Sequence, residues 1–172
     1  HYSLHILTYG FYTNFLNHHV LSPYYHWPLL QKNFSFQLDD TSENRTFLLE
    51  FLKLLVSTNG EQVTAADISK LNDAINGNYK LEKKDRNLSN LVPFLGLEGD
   101  GSLASRIAMW HGKGSHAKVF DNEVDILDFD QASVFGFEMA ELLKDKSSLG
   151  PVLFYLFHKI NISLDGTPTM IV

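Results

Sequence analysis

Apolar positions first settle into a regular pattern after Asp39. Leu48, Phe51, Leu52 and Leu55 recur at i, i+3, i+4 and i+7, the spacing of one buried helical stripe. Asp40 with Glu43 three residues on reads as the N-cap and box partner of that helix, and Asn59-Gly60 as its stop. A second helix is expected from the cap Thr64, with Asp67 as partner, through Ile68, Leu71 and Ile75 to Gly77. A third, short one starts near Leu88, with Pro93 bearing on its end. A fourth follows Ser102 and carries Leu103, Arg106, Ile107 and Trp110 until Gly112 and Gly114 stop it.

Beyond Phe120 the pattern shortens. Val124–Leu127 and Ser133–Phe137 are apolar runs that fit strands. Met139–Leu143 predicts a short helix and Lys144–Gly150 a loop. Pro151 fits the first position of a last helix, whose apolar face is Val152, Leu153, Leu156, Phe157 and Ile160. Asp165-Gly166 turns the chain, and after Thr167 and Pro168 the run Met170-Ile171-Val172 reads as a strand. The order is a helix-rich middle followed by strand, helix and strand, which predicts an α/β fold with a helical insert and no internal repeat. The final apolar run has no turn after it and the chain begins at His1, so a piece of a longer protein is expected.

Charge divides the chain. Residues 1–38 hold a single charged side chain, Lys32, and residues 1–33 show no sustained period. Tyr9, Phe11, Tyr12, Phe15, the His18-His19 pair, Tyr24-Tyr25 and Trp27-Pro28 fit short strands or irregular structure equally. The whole chain of 172 residues carries 14 basic and 20 acidic side chains, a formal charge of −6, which argues against a nucleic-acid-coating protein. It has no cysteine, which excludes a disulfide scaffold, a thiolate metal site and a Cys nucleophile. No apolar run approaches the roughly 18 residues of a membrane helix.

Motif chemistry is sparse. A phosphate cradle of the G-x-x-x-x-G-K-[ST] type needs a Lys-Ser or Lys-Thr after its last glycine. Gly96, Gly99 and Gly101 lack one, and Gly112-Lys113-Gly114-Ser115 has the wrong spacing, so both groups read as loop glycines. His18, His19 and His26 offer imidazoles, but no H-E-x-x-H is present and adjacent strand residues point to opposite faces. Asp121, Glu123, Asp125, Asp128 and Asp130 form an acidic run that reads as a solvated loop. There is no Gly-x-Ser-x-Gly elbow. The Asn-x-Ser/Thr triplets at Asn33, Asn44, Asn87 and Asn161 read as chance. Arg106 and Trp110 share a helix face. A core Trp with a rim Arg is one reading of that pair, and an arginine presented to a neighbouring subunit's phosphate is the other. No residue is assigned to catalysis, cofactor binding or metal binding.

From Phe36 onward the sequence resembles the large VirB-type ATPases of type IV secretion and conjugal transfer, component four with its TrbE and CagE relatives. The likeness rests on residues 39–45 (Asp39-Asp40-Thr41-Ser42-Glu43-Asn44-Arg45) followed by Phe47–Leu52. It continues through Arg106-Ile107-Ala108-Met109-Trp110-His111-Gly112, Phe120-Asp121-Asn122, Asp125, Phe135–Met139, Pro151–His158, Leu164-Asp165-Gly166, Pro168 and Met170–Val172. It does not extend over residues 1–33, an atypical segment for which a frame change or deletion upstream is one account. The resemblance implies an incomplete RecA-like P-loop ATPase domain over 34–172, with a helical insert at about 41–110. In the family, the strand matching Met170–Val172 leads into an acidic pair that holds Mg²⁺. The resemblance therefore implies ATP and Mg²⁺ for the full-length protein and neither for this chain alone, which is expected to be inactive. It further implies other secretion components as partners, a homo-oligomer at full length, no direct nucleic-acid site, and a cytoplasmic position at the inner membrane through the apparatus. The alternatives are a HerA/FtsK-class DNA-pumping ATPase, a non-catalytic helical interaction module and, more distantly, a metal-dependent hydrolase using the N-terminal histidines.

Overall fold

In the computed structural model, which describes residues 24–28, 34–124, 127, 134–140 and 142–164, the first helix starts one residue later than its sequence suggests. Thr41, not Asp40, is the cap: its hydroxyl accepts the Asn44 N–H at 3.1 Å, leaving Asp40 to pair with Arg45. The helix, α1 (Ser42–Val56), buries the expected stripe of Leu48, Phe51, Leu52 and Leu55 completely. Each such side chain contributes about 1.5–3 kcal/mol. Asn59-Gly60 does not stop it. The hydroxyls of Ser57 and Thr58 turn back onto the carbonyls of Lys53 at 2.7 Å and Leu55 at 2.9 Å, closing the helix before Gly60 is reached.

Helix α2 (Ala65–Lys80) carries the predicted capping box in full: the Thr64 hydroxyl accepts the Asp67 N–H at 3.1 Å, and the Asp67 carboxylate accepts the Thr64 N–H at 3.0 Å. Gly77 does not end it. A Cβ at that position would lie 2.5 Å from the Phe94 ring, so the glycine admits a close approach inside the helix. The short helix α3 (Leu88–Leu91), capped by Asn87, tightens into a 3₁₀ turn over Val92–Leu95, and Pro93 falls near the start of that turn, where it is tolerated. Helix α4 (Leu103–Ile107), capped by Ser102, likewise passes into a 3₁₀ turn over Ala108–Trp110. Helix α5 (Ala117–Phe120) follows.

These helices belong to one compact unit, Lys32–Ile126. Its centre is aromatic. Phe120 meets Phe51 edge to face at 5.0 Å between centroids, Phe34 at 5.4 Å and Trp110 at 5.5 Å, all within the range of favourable ring pairs. The two ends of the unit lie side by side. The Asn122 amide, buried, donates to the carbonyls of Phe34 at 2.9 Å and Val119 at 3.0 Å. The Gln37 amide donates to the carbonyls of Glu123 and Lys84. Adjacent ends are the geometry that lets a domain be inserted into another chain.

The second unit comprises His1–Gln31 and Leu127–Val172. In it β1 (Tyr24–Pro28) pairs in parallel with β2 (Val134–Glu138), Tyr24 opposite Val134 and Pro28 opposite Glu138. Phe135 and Phe137, two apart, are both buried, as strand alternation requires. The short helix expected at Met139–Leu143 is instead a 3₁₀ turn over Leu142–Lys144. Lys144–Gly150 is not a loop. Asp145 accepts the N–H groups of Ser147 at 3.1 Å and Ser148 at 3.2 Å, starting α6 (Lys146–Ser163) five residues before Pro151. The buried face also differs from the expected one: Val152, Tyr155, Leu156 and Ile160 are buried, Leu153 is partly covered and Phe157 is exposed. Among the described residues no helix is long and apolar enough to cross a membrane.

The expected α/β, RecA-like core is corrected by this structure. The described residues are predominantly helical, and the strand pairing they show is one parallel pair of five-residue strands. A central sheet of alternating strands and helices, which the RecA-like class requires, is not what these residues build. Val124, read as the start of a strand, is an exposed position outside any strand. Residues 125–126, Ser133, Asp165-Gly166 and the Met170–Val172 run lie outside the described residues, as does nearly all of 1–33.

Candidate functional site

Three clusters gather the polar residues of the Lys32–Ile126 unit, and residues that carry the family likeness recur in each. The first centres on Arg106 of α4. Its Nε donates to the Val56 carbonyl at 2.9 Å, one terminal nitrogen to the Asp67 carboxylate at 3.2 Å, the other to the Gln62 carbonyl at 3.2 Å. The guanidinium thereby ties together the end of α1, the linker and the cap of α2, and its side chain is only 8% exposed. Trp110, fully buried, donates its indole N–H to the Leu55 carbonyl at 3.2 Å. The pair is a core Trp beside a structural Arg. All three guanidinium nitrogens are spent on groups of the same unit, which the arginine-finger reading does not accommodate.

The second cluster lies where Asp39-Asp40 meets α2. Asp40 and Arg45 form a two-point pair, and Arg45 also donates to Asn76 at 2.7 Å. The guanidinium carbon of Arg45 stands 4.7 Å from the centre of the Tyr79 ring, and that of Arg86 stands 5.1 Å away. Two cations over one ring are favourable because its π face is negative. Arg86 spends its nitrogens on the carbonyls of Leu81, Leu38 and Tyr79. Burial first, then the Asp40 charge, pushes the Tyr79 phenol up to about 12. The Arg45 hydrogen bond holds the Asp40 carboxyl below its ordinary range. Lys83 pairs with Asp39 at 2.6 Å.

The third is Asp121, which accepts from the Ser89 N–H at 2.8 Å, the Ser89 hydroxyl at 2.6 Å and the Gly112 N–H at 2.7 Å. The acidic run is therefore not simply a solvated loop: its first member clamps α3 to the turn after Trp110. Asp125, Asp128 and Asp130 lie outside the described residues. Asn44 is buried with its amide on the Asp39 carbonyl at 2.9 Å, and Asn87 caps α3, so both serve the fold. The side-chain atoms of Asn78 and the Nε2 of His111 are buried with no hydrogen-bond partner, which nothing in the structure explains.

Of the five glycines in the two segments, three have their N–H groups spent within the fold. The Gly99 N–H donates to the Ser102 hydroxyl at 3.0 Å, that of Gly112 to Asp121, and that of Gly114 to the His111 carbonyl at 2.8 Å. Among the described residues no set of three or more His, Asp or Glu side chains could hold a metal ion. His18 and His19 lie outside those residues. Tyr79, Arg86, Ser89 and Asn122 emerge only in three dimensions. Of these only Asn122 stood within the family-like residues.

No family model matches the chain. Curated relatives do. The type IV secretion system protein virB4 of Brucella abortus biovar 1 (strain 9-941) is 30% identical over 143 residues, covering 76% of this chain and 17% of the relative. That of Bartonella quintana (strain Toulouse) is 30% identical over 135 residues, 78% of this chain and 17% of the relative. Protein virB4 of Agrobacterium tumefaciens (strain 15955) is 29% identical over 133 residues, 75% of this chain and 16% of the relative. The chain thus spans about a sixth of the length of the relatives it matches. Shared identity over three quarters of its own length is what the spread of family-like residues anticipated, and the chain belongs to the VirB4-type proteins of type IV secretion systems.

Proposed function

We propose that this chain serves within a VirB4-type ATPase whose hydrolysis of ATP drives substrate transfer or assembly of a type IV secretion apparatus. The observation that carries this reading is the 30% identity to virB4 over 143 residues. ATP and Mg²⁺ then belong to residues of the longer protein, because phosphoryl transfer needs a phosphate cradle and metal-holding carboxylates together. The carboxylates of Asp40, Asp67 and Asp121 are spent on Arg45, Arg106, and Ser89 with Gly112. Other secretion components and further copies of the longer protein are the partners this reading names, at the cytoplasmic face of the inner membrane. The test is turnover of Mg-ATP by the 172-residue chain and by a chain extended to the length of its relatives. The reading expects turnover from the extended chain alone; none from the extended chain overturns it.

A second reading is favoured by the adjacent ends of the Lys32–Ile126 unit, held by Asn122 and Gln37. A body closed at its own neck suits a helical module that engages other proteins.

A further inference from the structure

The sequence holds two Asn-Gly pairs, Asn59-Gly60 and Asn76-Gly77, and the fold treats them oppositely. In such a pair the glycine nitrogen can attack the asparagine side-chain carbonyl, because glycine has no Cβ to crowd the approach. The attack needs two freedoms. The glycine N–H must leave its hydrogen bond, and the asparagine backbone must rotate until Cγ meets that nitrogen.

Asn76-Gly77 has neither. Both residues lie inside α2, Gly77 is buried against the Phe94 ring, and the Asn76 Oδ1 accepts from Arg45 at 2.7 Å. An interior helical N–H is bonded to the carbonyl four residues back, so freeing it means opening the helix. Asn59-Gly60 lies in the turn between α1 and α2, and both residues are exposed. The Asn59 side chain forms no hydrogen bond. The Gly60 N–H (φ +88°) donates to the Ser57 carbonyl at 2.9 Å, one turn bond of the kind that opens at little cost. Nothing stands within 4 Å of the Cβ position of Gly60, so the space around the nitrogen is open.

We propose that Asn59 is a self-modification site, converted by its own backbone and water to aspartate and isoaspartate, while the fold protects Asn76. The Gly60 nitrogen bonds to the Asn59 Cγ, the Cγ–Nδ2 bond breaks, and the amide leaves as ammonia with the proton from Gly60. Water then opens the five-membered imide. Opening at Cγ gives aspartate, and opening at the main-chain carbonyl gives isoaspartate. Nothing is oxidised or reduced. The product sets a carboxylate just past the C-terminal end of α1, which is already negative. It also falls between Val56 and Gln62, whose carbonyls Arg106 holds, and the isoaspartyl form lengthens the backbone there by a methylene.

The test incubates the 172-residue chain in mildly alkaline, isotopically labelled water, folded and in urea, and reads both pairs by peptide mass spectrometry with isoaspartate resolved. In the folded chain, label at position 59 should exceed label at 76 by more than about tenfold. In urea the ratio should fall towards unity, since each asparagine follows a β-branched residue, Thr58 or Ile75, and precedes glycine. The modified folded chain, separated by its added negative charge, should unfold at lower urea than the unmodified one. Asn59→Gln should abolish label at 59 and keep its urea midpoint through the incubation. No label at 59, or equal label at 59 and 76 in the folded chain, overturns the proposal. A ratio that persists in urea overturns the role of the fold, and an unchanged midpoint in the modified chain overturns the effect on the Arg106 staple.

Discussion

At the scale of single residues, charge is used here as mortar. Arg106 donates from every nitrogen to groups that come from three parts of the chain. Removing it leaves the Val56 and Gln62 carbonyls without this donor and the Asp67 carboxylate with the Thr64 N–H but without its cation. Arg106→Ala should cost about 2–4 kcal/mol, read as a fall in the urea midpoint, and Arg106→Lys should recover less than half of it, since one ammonium cannot span the fork. Asp67 makes a pH prediction. The Thr64 N–H above all, with the Thr64 hydroxyl and Arg106, holds its carboxyl below the ordinary value. A folded pKa below the unfolded one gives stability that is complete above about pH 4 and is lost as pH falls through the folded value. The urea midpoint should therefore decline in acid, and Asp67→Asn should flatten that decline while being less stable at pH 7. An equal acid slope in the variant would remove Asp67 from the account. The capping box was legible in the sequence because Thr64 and Asp67 are three residues apart. The role of Arg106 was not, because its partners lie 39 to 50 residues away.

At the scale of elements, side-chain period was read well and element ends were read poorly. The α1 stripe is as expected, since 3.6-residue spacing survives any choice of cap. The ends shifted because side chains decided them. Thr41 outcompeted Asp40 once Asp40 was drawn to Arg45, and Asp145 began α6 within what reads as a loop. Gly77 was read as a stop from its identity alone, whereas its use is the approach of Phe94. That difference can be measured. Alanine normally exceeds glycine by about 1 kcal/mol inside a helix. Gly77→Ala should nonetheless destabilise the protein by about 1 kcal/mol, because the new methyl meets the Phe94 ring. In a Phe94→Ala background the same change should stabilise it, giving a coupling of about 1–2 kcal/mol in the double-mutant cycle. Additive effects would mean that the ring is not what keeps position 77 a glycine. The parallel pairing of β1 with β2 had no local signature at all, for its strands lie more than a hundred residues apart in sequence.

At the scale of the molecule, several residues on which the family resemblance was read hold a helical body together. Phe47–Leu52 and Phe120 build its aromatic core, Arg106–Gly112 its staple and clamp, and Asn122 its neck. The family could be read from the sequence because those residues keep their order along the chain. The fold class could not: the run at Ser133–Phe137 does form β2, but the sheet expected around it came with the family resemblance, and the described residues show one parallel pair of strands. The central claim is that Lys32–Ile126 is a self-contained body. The chain's other tryptophan, Trp27, falls outside that span, so Trp110 is the sole indole of the unit and reports on its core. The most direct test is urea unfolding of residues 32–126 alone, followed by Trp110 emission and by far-ultraviolet circular dichroism. A self-contained body predicts blue-shifted emission in water and one cooperative transition with the same midpoint by both signals. Emission typical of an exposed indole, or two transitions that do not coincide, would contradict it.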